Sequence, residues 1–141
     1  MSNNNLNASV KLSILWIMVL LTTIVRDLHE LLRVGHIEDI MATRIPETTM
    51  LFYAIVVELP IAMILLSRTL PPDYNRWANS VVAVVVLLGV LSTVPVADLD
   101  DLFFAIINGA FLLTILLTAR RLSSRKKRRI ILLNSPEQKR G

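Results

Sequence analysis

The sequence predicts an all-α protein, a bundle of four transmembrane helices. Composition is the first observation, because 54% of the 141 residues are hydrophobic and only 18% are charged, whereas about a quarter of a soluble domain is charged. The second is that four apolar segments each approach the roughly twenty residues that a helix needs to cross about 30 Å of hydrocarbon. The segments are continuously apolar and lack the alternating pattern of β-barrel strands, so we expect helices.

The predicted spans lie in residues 1–119, which we treat as one membrane domain. They cover about residues 12–32, 48–67, 78–97 and 102–119. The first span has no small-x-small cleavage pattern after its apolar part, so we expect it to be retained and not removed as a signal peptide. Residues 120–141 form a basic tail with nine of the fifteen Lys and Arg residues.

The distribution of Lys and Arg predicts that both termini are cytoplasmic. The N-terminal arm, the loop between the second and third spans, and the tail together carry twelve of these residues, whereas the opposite side carries three. Cytoplasmic segments of membrane proteins are enriched in Lys and Arg. We therefore expect a multi-pass protein of the cell inner (plasma) membrane, with Trp16 and Trp77 as interfacial anchors near the cytoplasmic face.

Charged residues follow the apolar part of the first span. The chain reads RDLHELLRVGH from Arg26 to His36, and helical periodicity places Arg26 and Glu30 on one polar stripe. Gly35 is predicted to end the helix. Arg26 and Glu30 are spaced i,i+4. One interpretation is an interfacial helix end whose charges lie among lipid headgroups. The other is the polar wall of a cavity that opens to the outside.

Glu58 lies close to the predicted bilayer midplane, about ten residues into the second span. Ala54 and Ala62 flank it at i−4 and i+4, and small residues suit close helix contact, so we expect Glu58 to face the interior of the bundle. Pro60 cannot donate to the Val56 carbonyl, which leaves an acceptor near the carboxyl group. An intramembrane acid indicates either a functional site or a structural contact, and the sequence leaves both open.

A small polar set suggests a function. We predict that Arg26, Glu30, Glu58 and Asn108 line an outward-facing pocket that binds or transports a small ligand, lipid or ion. Asn108 belongs to this set because it lies some 9 Å into the fourth span from the same end. The alternative class is a structural or assembly subunit in which these residues join helices. A membrane-embedded enzyme acting on a lipid or quinone ranks third.

No catalytic residue, cofactor or metal site is expected. The chain has no cysteine, which excludes thiolate zinc sites, iron–sulfur clusters and dithiol redox chemistry. His29 and His36 match no compact zinc motif. The chain also lacks a glycine-rich phosphate loop and the motif of a nucleophilic serine, so an enzyme of the soluble type is not expected.

The expected partners are membrane lipids and a second copy of the chain. The basic tail is predicted to attract anionic lipid at about 1 kcal/mol per basic residue. No aromatic residue lies in the tail to stack on bases, so we expect no nucleic-acid partner. Homodimerisation is suggested by small residues at helical spacing in the fourth span, which suit close packing. They are Ala105, Gly109, Ala110, Thr114 and Thr118.

Three motifs resemble a known family. They are ELPIAMILLSR from Glu58 to Arg68, NRWAN from Asn75 to Asn79, and DDLFF from Asp100 to Phe104. With them, residues 11–119 resemble a family of small prokaryotic four-helix membrane proteins that is catalogued as a domain of unknown function. The resemblance implies the four-span architecture and a bacterial or archaeal cell membrane. It implies no activity, ligand or catalytic residue.

Overall fold

The computed structural model describes residues 3–93 and 98–122. In this part of the chain the structure is all-α, with helices α1 (Asn3–Leu31), α2 (His36–Ala42), α3 (Glu47–Thr69), α4 (Pro72–Thr93) and α5 (Leu99–Arg120). All of these except α2 are long and apolar enough to cross a membrane, which confirms the prediction of an all-α protein with four candidate spans. Residues 94–97 of the third predicted span and 123–141 of the basic tail lie outside the described residues.

Two helices begin well before the predicted spans. Helix α1 begins nine residues earlier, at Asn3, and α4 begins six residues earlier, at Pro72. Proline suits the first turn of a helix because it has no N–H group that would lack a partner there. Asp73 in the same turn complements the helix dipole. The connection between α3 and α4 is consequently only Leu70 and Pro71.

Helix α1 is the central helix of the bundle. It packs along α3 and along α5, while α4 packs along α5 and makes much less contact with α3. The Ser13 hydroxyl donates to the Ile64 carbonyl at 2.8 Å, which joins the beginning of α1 to the end of α3. We call this side, with the beginnings of α1 and α4, the N-terminal end. The opposite side, where α1 ends, α3 and α5 begin and α2 lies, is the α2 end.

The buried core lies mostly toward the N-terminal end. In α3, the buried residues Pro60, Met63 and Ser67 belong to its second half, whereas residues 47–59 are exposed or half-buried. The apolar core consists of Leu12, Leu15, Trp16, Val19, Met63, Ala83, Leu112, Ile115, Ala119 and Leu122. The bundle is therefore tightly packed at the N-terminal end and more open at the α2 end.

A buried polar cluster closes the N-terminal end. We call it the amide cluster, and it consists of Ser9, Trp16, Ser67, Asn75 and Asn79, each at most 2% exposed. The Trp16 Nε1–H donates to Asn79 Oδ1 at 2.7 Å, and the Asn79 amide donates to Asn75 Oδ1 at 2.6 Å. The Asn75 amide donates to the Ser67 carbonyl at 2.6 Å and to the Ser9 hydroxyl at 3.2 Å. These bonds join α1, α3 and α4.

The prediction that Trp16 is an interfacial anchor is wrong. Its side chain is fully buried. Asn79, 63 residues away in sequence, accepts the hydrogen bond of the indole N–H, so this group does not need an acceptor in the headgroup region. Trp77 is 69% exposed on the surface of α4. Its role as an anchor stays a prediction.

Candidate functional site at the α2 end

The chain reverses direction between α1 and α2. Helix α1 ends at Leu31, and its end is closed by short hydrogen-bonded turns, in which Arg33 N–H donates to the Glu30 carbonyl at 3.0 Å and His36 N–H to the Arg33 carbonyl at 3.2 Å. Gly35 has a φ of 86°, a left-handed conformation that glycine adopts without a steric penalty. The helix stops shortly before Gly35, as predicted, and this turn places α2 beside the end of α1.

A cleft of about 570 Å³ lies between the end of α1, α2 and the beginning of α5. We call it the polar cleft, because seven of its nine lining residues are ionisable. Its volume falls within the usual range of small-molecule sites, about 300–1,000 Å³. The lining residues are Arg26, Asp27, Glu30, Leu31, Arg33, His36, Ile40, Asp98 and Asp101.

Ion pairs across the cleft tie α1 to α5. The Arg26 Nε–H donates to Asp101 Oδ1 at 2.9 Å. Past the helix end, Arg33 Nη2 lies 2.8 Å from Asp98 Oδ2 and 3.5 Å from Asp100 Oδ1. Arg26 and Glu30 are spaced i,i+4 on α1, but Arg26 pairs with Asp101 in the acidic turn that begins α5.

The two histidines contact different acids, and of the two only His36 lines the cleft. His29 Nε2 lies 3.2 Å from Asp100 Oδ2, and the His29 ring also packs near the Phe104 ring, with centroids 6.2 Å apart. His36 Nδ1 lies 3.5 Å from Glu30 Oε2. Among residues 3–93 and 98–122, no group of three or more His, Asp or Glu side chains is arranged to hold a metal ion. Each of the two histidines thus lies against a carboxylate at this end.

Acidic groups outnumber basic groups in the cleft. Its lining has four carboxylates and two guanidinium groups, which leaves a net charge of −2 when His36 is neutral. Asp98, and after it Glu30, raise the pKa of the Arg33 guanidinium, which stays charged at any physiological pH. Asp101 pairs with Arg26, and Asp98 pairs with Arg33. The surplus negative charge of the cleft therefore lies on Asp27 and Glu30.

Asp27 and Glu30 are the two carboxylates that a ligand could use. They lie three residues apart on α1, a spacing that puts side chains on neighbouring positions of one helix face, with Cβ atoms about 5–6 Å apart. The side chain of Glu30 is 19% exposed, and its Oε2 atom lies 3.5 Å from His36 Nδ1. Within the described part of the chain, Asp27 forms no ion pair or side-chain hydrogen bond. Sequence reasoning named Glu30 as a candidate site residue but not Asp27.

The four predicted pocket residues do not come together. Arg26 and Glu30 line the polar cleft, whereas Glu58 and Asn108 do not. The expectation that Glu58 faces the interior of the bundle is wrong, because Glu58 is exposed on the surface of α3. Pro60 is buried, and residues two apart point roughly 160° away from each other around a helix. The Glu58 carboxyl group and the side of α3 at Pro60 are therefore separated.

Glu58 lies at the middle of α3, eleven residues from Glu47 and eleven from Thr69. It forms no hydrogen bond or ion pair with the described residues. A charged side chain at the centre of a membrane helix costs about 2.5–3.5 kcal/mol. If α3 crosses a membrane, the exposed Glu58 carboxyl group lies halfway across it and has no partner among the described residues.

Asn108 lies inside the bundle and below the polar cleft. Its side chain is 4% exposed, and Oδ1 is buried with no hydrogen-bond partner among the described residues. It follows Asp101 by seven residues on α5, which puts it on the same helix face about 10 Å deeper. It thus lies beneath the Arg26–Asp101 pair and outside the cleft lining.

A second, smaller cavity lies at the N-terminal end. It measures about 420 Å³ and is lined by Asn7, Ala8, Lys11, Thr118 and Arg121. Its two basic side chains, Lys11 and Arg121, are of the kind that attract anionic lipid headgroups. The predicted lipid contact of the tail stays a prediction, since residues 123–141 lie outside the described range.

The amide cluster is the feature that sequence reasoning missed. Asn75 and Asn79 were noted only as part of a motif, although their i,i+4 spacing puts both amides on one face of a helix. Polar side chains inside membrane bundles join helices by hydrogen bonds. That spacing, together with Ser9 and Ser13 at i,i+4 in the first helix, was the available signal.

Comparison with known proteins identifies a family. A family model described as a family of unknown function (DUF6326) matches residues 3–125. The chain belongs to DUF6326. No curated protein and no solved structure matches it significantly. The DUF6326 match covers all four candidate spans and both sides of the polar cleft.

Proposed function

We propose that this DUF6326 chain is a multi-pass membrane protein that binds a small organic cation in the polar cleft. The observation that carries the proposal is the surplus of carboxylates in a cavity of small-molecule size. Asp27 and Glu30 would hold an ammonium or amidinium group between them, and Leu31 and Ile40 supply apolar surface for the carbon skeleton.

The ion pairs give this site its shape. Arg26 with Asp101 and Arg33 with Asp98 hold the end of α1 against the beginning of α5, so their charges are satisfied before a ligand arrives. A cation then meets Asp27, which forms no ion pair with the described residues, and Glu30, whose contact with His36 is longer at 3.5 Å. An anion would have to displace a carboxylate from an arginine, which costs an existing charge-assisted hydrogen bond.

The location of the cleft is part of the proposal. Twelve Lys and Arg residues on the side of the termini against three on the other favour an inner (plasma) membrane protein with the cleft facing outward. We propose binding without passage in the conformation described, because Trp16, Asn75 and Asn79 pack without exposed surface at the opposite end.

The test is binding of defined cations to the full chain in lipid nanodiscs. Isothermal titration with choline, putrescine and spermidine, and with acetate and phosphate as anionic probes, should detect binding of at least one cation and of neither anion. Glu30→Gln and Asp27→Asn should each weaken that cation roughly 10-fold or more, as expected for loss of one charge-assisted contact.

The matched control is Glu38→Gln. Glu38 lies on α2 at the same end of the molecule and is exposed, but it does not line the cleft. Glu38→Gln removes the same charge and should leave the affinity for the cation within about 2-fold of the wild-type value. Binding of anions only, or equal losses in all three variants, would contradict the proposal.

A structural or assembly role is the second candidate. The observation that favours it is Glu58, an exposed carboxyl group halfway along a membrane helix. This role is compatible with cation binding, because Glu58 lies outside the cleft lining.

A further inference from the structure

The outer face of α3 carries a regular seam of exposed residues. Leu51, Ala54, Glu58, Ile61 and Leu65 follow one another at intervals of three, four, three and four residues, and each is exposed in the single chain. This is the spacing of the a and d positions through which two helices pack in a left-handed coiled coil. The bundle-facing residues Pro60, Met63 and Ser67 lie on the opposite side of the helix.

We propose that this seam is the interface of a homodimer, in which Glu58 of one copy hydrogen-bonds to Glu58 of the other. Several independent features support this assignment. Helix α3 has the least buried apolar window of the four candidate spans, with 11% of its residues inside the chain. Ala54, directly before Glu58 in the seam, is small enough for two helix backbones to approach closely.

The depth of Glu58 and the orientation of the chain in the bilayer indicate that a second copy of the chain packs against the seam. The bias of Lys and Arg gives every copy the same orientation in the bilayer. A two-fold axis along the membrane normal therefore brings identical residues together at identical depth. Glu58 at the midpoint of α3 then meets a group that can both donate and accept a hydrogen bond, whereas lipid chains offer neither.

The carboxyl pair shares a proton. Two charged carboxylates cannot lie side by side in a medium of low dielectric constant, so one group of the pair is protonated and donates to the other. A single polar residue at an a position also fixes register and the number of helices in a coiled coil. Glu58 occupies such a position in the seam, flanked by Ala54 and Ile61 at d positions.

The seam also differs from the dimer face expected from the sequence. That expectation used small residues of the fourth span, but α5 already packs against both α1 and α4. Thr118 is buried, and Ala105 and Gly109 are half-buried. Helix α3 packs extensively only against α1, which leaves its outer side available along its whole length.

Cysteine cross-linking in native membranes tests the interface directly, because the chain has no cysteine of its own. We expect rapid disulfide formation between copies of Ala54→Cys and of Ile61→Cys. Phe52→Cys and Tyr53→Cys are controls on the same helix, since both positions are exposed but are b and c positions that face away from the seam. Ile106→Cys on α5 is an exposed control on another helix. Equal cross-linking on and off the seam, or cross-linking only at position 106, would overturn the proposal.

Substitution of Glu58 tests the carboxyl pair separately. Energy transfer between labelled copies in lipid vesicles gives the dimer dissociation constant. Glu58→Leu should raise the dimer dissociation constant about 5- to 30-fold, which corresponds to the loss of one hydrogen bond between membrane helices. Glu58→Gln can still form a hydrogen bond between the copies, so it should raise the dissociation constant by less than about 5-fold. Purified protein that stays monomeric at every ratio of protein to lipid would overturn the proposal. So would a Glu58→Leu variant with the dimer dissociation constant of the wild type.

Discussion

The Nε atom of Arg26 lies 2.9 Å from the Oδ1 atom of Asp101, and this pair joins the end of α1 to the beginning of α5. Both side chains are largely buried, at 29% and 16% exposure. Both residues line the polar cleft. Asn108 lies about 10 Å further along the same face of α5, toward the middle of the helix. Several consequences of this arrangement can be measured.

The Arg26–Asp101 pair should stabilise the bundle. Arg26→Gln removes a charge-assisted hydrogen bond and leaves a partly buried carboxylate, so we expect a loss of about 1–3 kcal/mol in the free energy of unfolding. Arg33→Gln is the matched control, because its pairs with Asp98 and Asp100 are more exposed and should contribute less. Reversible unfolding in mixed micelles measures both. Equal losses would show that burial of the Arg26 pair is unimportant.

The amide cluster should be the most sensitive polar feature of the fold. Asn79→Ala leaves the buried Trp16 N–H and the Asn75 Oδ1 atom without their partner, at a cost of about 1–3 kcal/mol for each unsatisfied group. Ser80→Ala, in the next position, loses only a bond to the Arg76 carbonyl within its own helix and should cost much less. Similar unfolding free energies for the two variants would contradict the role given to Asn79.

Two glycines should respond to alanine with opposite signs. Gly35 has a φ of 86°, so Gly35→Ala strains the turn before α2 and should cost about 1–2 kcal/mol. Gly89 lies inside α4, and a methyl group added at its Cα would meet no atom within 4 Å apart from its chain neighbours and the adjacent backbone of its own helix. Gly89→Ala should therefore stabilise the protein by up to about 1 kcal/mol. The same unfolding measurement applies. A stabilised Gly35→Ala variant would show that the turn is not held in this conformation.

Cation binding should weaken as salt concentration rises. The polar cleft is open to solvent, and interactions between exposed charges are screened over about 8 Å at physiological ionic strength. We expect the affinity for the cation selected by titration to fall several-fold between about 0.05 and 0.5 M sodium chloride. Affinity that is independent of salt would indicate an apolar mode of binding and would argue against Asp27 and Glu30 as the contacts.

The four long helices were predictable because hydrocarbon imposes one simple requirement on the backbone. Each apolar segment had to satisfy its hydrogen bonds internally, and only a helix does so within one segment. The beginning of α4 at Pro72 was missed, because Asp73, Asn75 and Arg76 interrupt residues 72–77 and leave no continuous apolar segment there. Length and composition therefore predict the existence of a span better than they predict the residues at which its helix begins and ends.

The orientation of Glu58 could not be read from the sequence. Helix α3 is apolar on nearly all sides, so it has no amphipathic pattern that says which face points inward. Its rotation depends on Pro60, Met63 and Ser67, which pack inside the bundle and leave Glu58 outside. Trp16 and Asn79 illustrate the same limit, since their contact joins residues 63 positions apart.

The most direct test of the polar cleft is protection of a cysteine by the bound cation. Ile40 lines the cleft, whereas Met41, its neighbour on α2, does not and is 82% exposed. In intact cells, a membrane-impermeant maleimide should label both Ile40→Cys and Met41→Cys, and the cation selected by titration should slow labelling at position 40 only. Labelling that requires permeabilised cells, or equal rates with and without the cation at position 40, would contradict an outward-facing cation site.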